Sequence, residues 1–167
     1  MKKERGCQSP SRVSVTFLAA CLYLFFAVNV HAAMVSFCVI ETGLEENGQE
    51  NQFSVIWENA FLDVFFEAGH IVCNAPVLRL ENKPADNILR NFNMQDVRNS
   101  GIDYLIIAML DFNSAVSPEE VVIFIYKVTP REKILERLLP ERQTRTGRDE
   151  LEYVKSIARG FVTYIDG

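Results

Sequence analysis

The chain has 167 residues, 49% of them hydrophobic and 23% charged, with a formal net charge of −5. That length suits one domain with a core of its own. The acidic balance repels phosphate backbones and anionic headgroups, which excludes nucleic acid as a natural partner.

The first 32 residues differ from the rest. Lys2, Lys3, Arg5 and Arg12 precede an apolar run from Val13 to Val30, and the next base is Arg79. The run closes on Val30-His31-Ala32, with small residues where a signal peptidase needs them. Basic, apolar and small-residue regions in that order predict a secretory signal segment over 1–32 and an exported domain over 33–167. Two other outcomes for this segment stay open. Leu18-Ala19-Ala20-Cys21 spells a lipidation site, which would anchor the chain by lipid at Cys21. It is followed by Leu22-Tyr23-Leu24-Phe25-Phe26, where a lipoprotein tether turns polar. The eighteen residues Val13–Val30 are also just long enough to span a bilayer core of ~30 Å if left uncleaved. In either case membrane contact would run through this segment. Of 17 basic and 22 acidic residues the segment holds four and one, leaving 13 and 21 and a net charge of −8 in the remainder.

Beyond it, Met34–Ile40 is apolar and β-branched and predicts a strand. Gly43–Asn51 is a polar, acidic loop. Phe53, Ile56, Trp57, Ala60, Phe61, Val64, Phe65 and Ala68 then fall on one face of a helix. Asn51 or Asn47 can cap its start, and Gly69 stands where a helix C′ residue belongs. His70–Val77 predicts a second strand and Pro84–Asn99 a second helix ended by Gly101. Ile102–Phe112 and Val121–Val128 predict two more strands, Thr129–Glu132 a turn, and Lys133–Leu139 a hairpin partner. A last helix runs from about Arg148 to Ile165, with Leu151, Val154, Ala158, Phe161, Val162 and Ile165 on one face. The expected order is β-α-β-α-β-β-β-α: an α/β (α+β) domain with one mixed sheet of about five strands and three packed helices.

Chemistry-bearing motifs are scarce. His70 is the sole histidine after residue 32, so a His-based metal cluster cannot be built, and its place between a helix end and a strand favours a structural role. No G-x-S-x-G, Walker or dinucleotide fingerprint occurs, and no cofactor is implied. Cys38 and Cys73 sit in apolar runs that raise a thiol pKa; an oxidising compartment would permit a disulfide between them, although nothing in the sequence fixes their separation. Phe53, Trp57, Phe61 and Phe65 make a helical stripe better suited to core than to a ligand groove. Asp103 and Asp111 flank one strand, where strand-end solvation accounts for them.

Charge is uneven. Residues 41–67 carry seven acids and no base, while 131–148 carry six bases and three acids. Solvated faces account for this; as a polarised contact surface, its members would be Glu45, Glu46, Glu50, Arg142, Arg145 and Arg148.

Three stretches carry a family likeness. Val35–Ile40 with the Phe53–Ala68 helix is similar to the first strand and long helix of a small periplasmic α/β domain. That domain is shared by the TolB N-terminal domain, CsgG-type secretion lipoproteins, LpoB-type activators of cell-wall synthases and FlgT flagellar proteins. Gly101-Ile102-Asp103-Tyr104-Leu105-Ile106-Ile107-Ala108 resembles their G-A-D-Y-L-L-x-G strand opening, and Val121–Val128 with Thr129-Pro130 and Lys133-Ile134-Leu135 resembles their strand, turn and G-K-I-L hairpin. The resemblance implies binding and scaffolding at the cell envelope rather than catalysis, and carries over no binding residue. The expected function is a non-enzymatic envelope protein that docks on an envelope protein partner. The alternative is an enzyme or ligand-binding accessory with a pocket at strand ends near Asp103, Asp111 and Tyr126.

The export signal makes a direct prediction. Protein isolated from the native envelope should begin at Ala33 or Met34 by N-terminal sequencing. A lipid-modified Cys21 or an intact Met1 would contradict it.

Overall fold

The computed structural model describes residues 32–44, 51–84, 92–113, 115–140 and 147–166. The expected signal segment, 1–32, lies outside these residues except for Ala32. All described residues belong to the unit Ala32–Gly167.

The fold is mixed α/β. Its elements are β1 (Met34–Thr42), α1 (Gln52–Glu67), β2 (Ile71–Asn74), β3 (Leu78–Leu80), α2 (Met94–Asn99), β4 (Tyr104–Asp111), β5 (Glu120–Lys127), β6 (Glu132–Leu138) and α3 (Gly147–Asp166). One sheet runs β2-β1-β4-β5-β6, and β3 also pairs with β1. β1 is parallel to β2, β3 and β4, while β5 and β6 add antiparallel strands.

Local chemistry explains the boundaries. The Asn51 side chain accepts the Phe53 N–H at 2.9 Å and caps α1. At its other end Gly69 takes φ +92, Gly69 N–H donates to Phe66 O, and His70 N–H donates to Phe65 O. That is a Schellman ending, and the positive φ explains the glycine.

Two expectations need correction. The strand expected over 70–77 stops at Asn74, because Pro76 cannot donate to a ladder, and a further strand, Leu78–Leu80, follows it. Phe37 faces Asn74 and Ile40 faces Leu78, so the chain takes four steps past Pro76 against three on β1. The sheet therefore has six strands rather than about five. The helix over 84–99 is also not continuous: Asn93, at ψ 85, breaks from helical geometry and accepts the Gln95 N–H with its side chain. An Asn oxygen competes for backbone donors and starts a helix better than it continues one. Residues 85–91 lie outside the described set.

Both faces of the central strands are covered. On one, Trp57, Ala60, Phe61, Val64 and Phe65 of α1 and Val154, Ala158, Phe161 and Ile165 of α3 pack on Val35, Phe37, Val39, Ile106, Ala108 and Leu110. Phe61 is the hub, with its ring centroid 4.4 Å from Phe37, 5.9 Å from Trp57, 6.1 Å from Phe65 and 6.2 Å from Phe161. On the other face Ile40, Leu105, Ile107, Met109, Phe124 and Tyr126 form a second cluster, packed by Leu78, Phe92, Met94 and Val97. Strands buried on both sides read as near-continuous apolar runs, as β4 does from Leu105 to Leu110.

Trp57 is fully buried and its Nε1–H donates to Glu150 Oε1 at 3.2 Å. Trp57→Ala should lower stability by ~3–5 kcal/mol, measured as a fall in the urea midpoint at unchanged m-value.

Candidate functional site

The two ends of the sheet gather polar side chains, and they are separate places. Asp103 precedes β4 and Asp111 closes it, so about eight residues at ~3.3 Å each lie between them. Asp111 therefore stands at the opposite end of the strand from Asp103 and Tyr126, and the three do not share one site. Sequence reasoning placed both acids at strand ends, but one strand has two ends.

At the first end Asp103 joins three strands. Its Oδ2 accepts the Met34 N–H at 2.9 Å, its N–H donates to Met34 O, and its carbonyl accepts the Val128 N–H. Tyr126 is buried against Phe124, and burial, helped by Glu136, pushes its phenol up to about 12. His70 is buried nearby in sequence to this end: its Nδ1 accepts the Ala33 N–H at 3.3 Å and its ring lies against Phe65. Its Nε2 is 3.3 Å from Asp166 Oδ1 but off the line of a hydrogen bond. A structural histidine is what these contacts describe.

At the second end the Lys83 ammonium lies 2.6 Å from Asp111 Oδ2 and 2.9 Å from Glu120 Oε1, and the Thr42 hydroxyl donates to Asp111 Oδ1 at 3.0 Å. Gly43 is required here: at φ +71, a Cβ would stand 2.7 Å from Asn113 N.

Between helix and sheet lies a buried carboxylate that sequence reasoning missed. Glu41 is 1% exposed; its Oε1 accepts from the Ser54 hydroxyl at 2.5 Å and its Oε2 from Arg79 Nε at 2.8 Å. Each follows directly on or shortly after a strand expected from the sequence, and only the register, Glu41 opposite Arg79, brings them together.

Cys38 and Cys73 are free thiols, and the bridge weighed from the sequence is not formed. Cys73 faces Ser36, two residues from Cys38 along β1. Such diagonal neighbours lie ~7–8 Å apart, beyond disulfide reach. Burial, then the nearby Glu58 charge, pushes the Cys38 thiol up to about 12, which leaves no nucleophilic thiolate near neutrality. Among the described residues no group of three or more His, Cys, Asp or Glu could hold a metal ion, and no helix is long and apolar enough to cross a membrane.

Of the charged surface residues singled out from sequence, Glu45, Glu46, Glu50, Arg142 and Arg145 lie outside the described residues, and Arg148 is exposed in the first turn of α3. The two sheet edges differ instead. β6 carries Glu132, Lys133, Glu136 and Arg137, whereas Ile71–Asn74 of β2 has no charge. Beside it stand two exposed apolar residues, Phe66 (71%) and Ile71 (58%), on either side of the turn between α1 and β2.

Residues 35–124 match the family described as "Uncharacterised protein", and the chain belongs to that family. No curated protein matches the chain. Among solved structures it is similar to TolB from Acinetobacter baumannii, with 13% identity and a TM-score of 0.46 over 81% of this chain and 28% of TolB. It is also similar to a PelC dodecamer from Paraburkholderia phytofirmans, with 12% identity and a TM-score of 0.42 over 81% of this chain and 90% of PelC. The chain thus spans under a third of the length of TolB.

The Asp111–Lys83 pair sets a pH test. Burial acts to raise the Asp111 carboxyl, but hydrogen bonds from Lys83 and Thr42 outweigh it and hold it below its ordinary value. Hydrogen bonds to Asp111 and Glu120 raise Lys83 above its own. A lowered acid stabilises the fold above its unfolded pKa of about 3.9 and loses that contribution as pH falls through the folded value. A raised lysine stabilises it below about 10.4 and loses that as pH rises through the folded value. Lys83 is 40% exposed, so screening reduces the effect. Lys83→Gln should lower stability by only ~0.5–1 kcal/mol near neutrality. In urea titrations the gap to the parent protein should shrink below about pH 4 and above about pH 10.

Proposed function

We infer that the chain is an exported, non-enzymatic docking component of a cell-envelope assembly, and that it takes its partner at the free edge of β2. The observation that carries this is the edge itself. In β2 the Ile71 N–H donates to Ala33 O, and the Ala75 N–H just beyond donates to Phe37 O. By strand alternation the backbone groups of Val72 and Asn74 therefore face away from β1. An uncharged edge with outward N–H and C=O groups is a template for an added strand. Exposed Ile71 and Phe66 supply apolar surface beside it. The occupant that fits is an extended segment of a partner protein with apolar side chains.

Further observations support the export and non-enzyme parts. Ala33 is buried and its N–H donates to His70 while Ala32 is exposed, which agrees with a cleavage site after Ala32. Asp103, Asp111 and Glu41 are each engaged in holding elements together. The likeness to the envelope domain of TolB, CsgG-type, LpoB-type and FlgT proteins agrees with a binding role.

The test is photo-crosslinking in cells from probes at position 66, 71 or 148. Probes at 66 and 71 should capture the same envelope protein, and the probe at 148 should not. Ile71→Lys should abolish that product while changing stability by less than ~0.5 kcal/mol, as for an exposed site. Equal capture from all three positions, or none from 66 and 71, would refute docking at this edge.

A further inference from the structure

A cavity of about 390 Å³ opens at the end of the sheet where β4 starts and β5 finishes. Its walls come from α2 with the residues before it and from the turn between β5 and β6. Phe92, Met94 and Val128 give it apolar surface, Gln95 a polar group, and Arg98 and Arg131 two cations. Its size falls in the lower range of small-molecule sites.

The two arginines bring positive charge together in an acidic domain. Residues 33–167 carry a net charge of −8. Arg79, Lys83, Lys133 and Lys155 each have a carboxylate partner. Arg98 and Arg131 have none among the described residues, as is also true of Lys127, Arg137, Arg148 and Arg159, but these two come from different elements and line the same cavity.

Backbone geometry is an independent observation. Arg131 adopts φ +74. The other positive-φ positions among the described residues are Gly43, Gly69, Gly101 and Asn113, residue types that tolerate this region. Arginine does not, and its long side chain here lines the cavity. Strained non-glycine residues concentrate at ligand sites, where the side chain rather than the turn requires the position. The walls are also held in place without a ligand. The Asn93 side chain caps α2 and bonds Asp96 at 2.6 Å, and the Val128 N–H is fixed on Asp103 O at 2.8 Å.

We propose that this cavity binds a small amphipathic oxyanion, a carboxylate or phosphate carried on an apolar body, between Arg98 and Arg131. Each guanidinium presents a planar fork of donors that matches either oxyanion. Phe92, Met94 and Val128 take the apolar body. The site is independent of the β2 edge and stands or falls apart from docking there.

The purified full chain, labelled with ¹⁵N, is titrated with phenylacetate, phenyl phosphate and the neutral phenylacetamide. At least one anion should saturate the Gln95 and Val128 amide shifts with a Kd in the millimolar range or tighter. Phenylacetamide should bind about tenfold more weakly or worse. Saturation by phenylacetate alone assigns a carboxylate ligand, and by phenyl phosphate alone a phosphate ester. Arg98→Gln and Arg131→Gly should each weaken binding about tenfold. Arg131→Gly should also keep or raise the thermal midpoint, since glycine relieves the positive φ. A lowered midpoint would place Arg131 in the service of the turn and overturn its assignment. No saturation by either anion at about 20 mM, equal binding of phenylacetamide, or unchanged affinity in both variants would overturn the site.

Discussion

A buried carboxylate in a central strand constrains this fold more than any other group. β1 has strands on both edges and packing on both faces, so Glu41 has no route to water. An unpaired charge there would destabilise the domain by several kcal/mol. It is instead held by Arg79 of β3 and Ser54 of α1. The register explains the irregularity at Pro76. Had β3 continued the β2 register, Arg79 would face Thr42 and point to the opposite side of the sheet. The one extra residue puts Arg79 opposite Glu41, on the face where α1 begins. It also leaves Leu78 and Leu80 on the second face, with the cluster around Ile40. One bulge thus satisfies a charge and completes two cores.

The remaining polar residues follow the same logic at the sheet ends. Asp103 ties the starts of β1 and β4 to the end of β5. Asp111, with Thr42 and Lys83, ties the finish of β1 and β4 to the start of β5. In a mixed sheet whose middle strands are buried on both faces, charged groups find partners most readily where strands stop. Catalytic-looking residue types therefore occur at strand ends for structural reasons, and they are dispersed rather than convergent.

The sequence made the long-range architecture legible wherever one periodicity ran uninterrupted. The α1 face from Phe53 to Phe65, the α3 face through Val154, Ala158 and Phe161, and the β4 run are where periodicity put them. It failed where a single residue altered a local pattern, at Pro76 and at Asn93, because a proline bulge and an asparagine cap each look like continuation until hydrogen-bond partners are known. The sites were less legible than the fold. Glu41 with Arg79, and Arg98 with Arg131, are joined by register and turn geometry, which leave no mark on spacing along the chain. Only the positive φ at Arg131 had a local signal, the Thr129–Glu132 turn, and that signal does not say which residue is strained.

The sheet order leaves two edges, and their chemistry is opposite. β6 places Glu132, Lys133, Glu136 and Arg137 along its strand, a composition that discourages pairing with another chain. β2 has only Ile71, Val72, Cys73 and Asn74, a short and uncharged strand. A chain that gained nothing from the second edge would benefit from a charge at Ile71, which is exposed and makes no core contact that a lysine stem could not replace. The same holds for Phe66, exposed on the last turn of a helix whose inner face is already complete. Both positions keep apolar side chains beside outward-facing backbone groups. Along β6, by contrast, four of the five exposed positions carry charges and only Leu138 at its end is apolar. The proposed docking rests on this difference between the edges, and the strand order sets the two on opposite sides of the sheet.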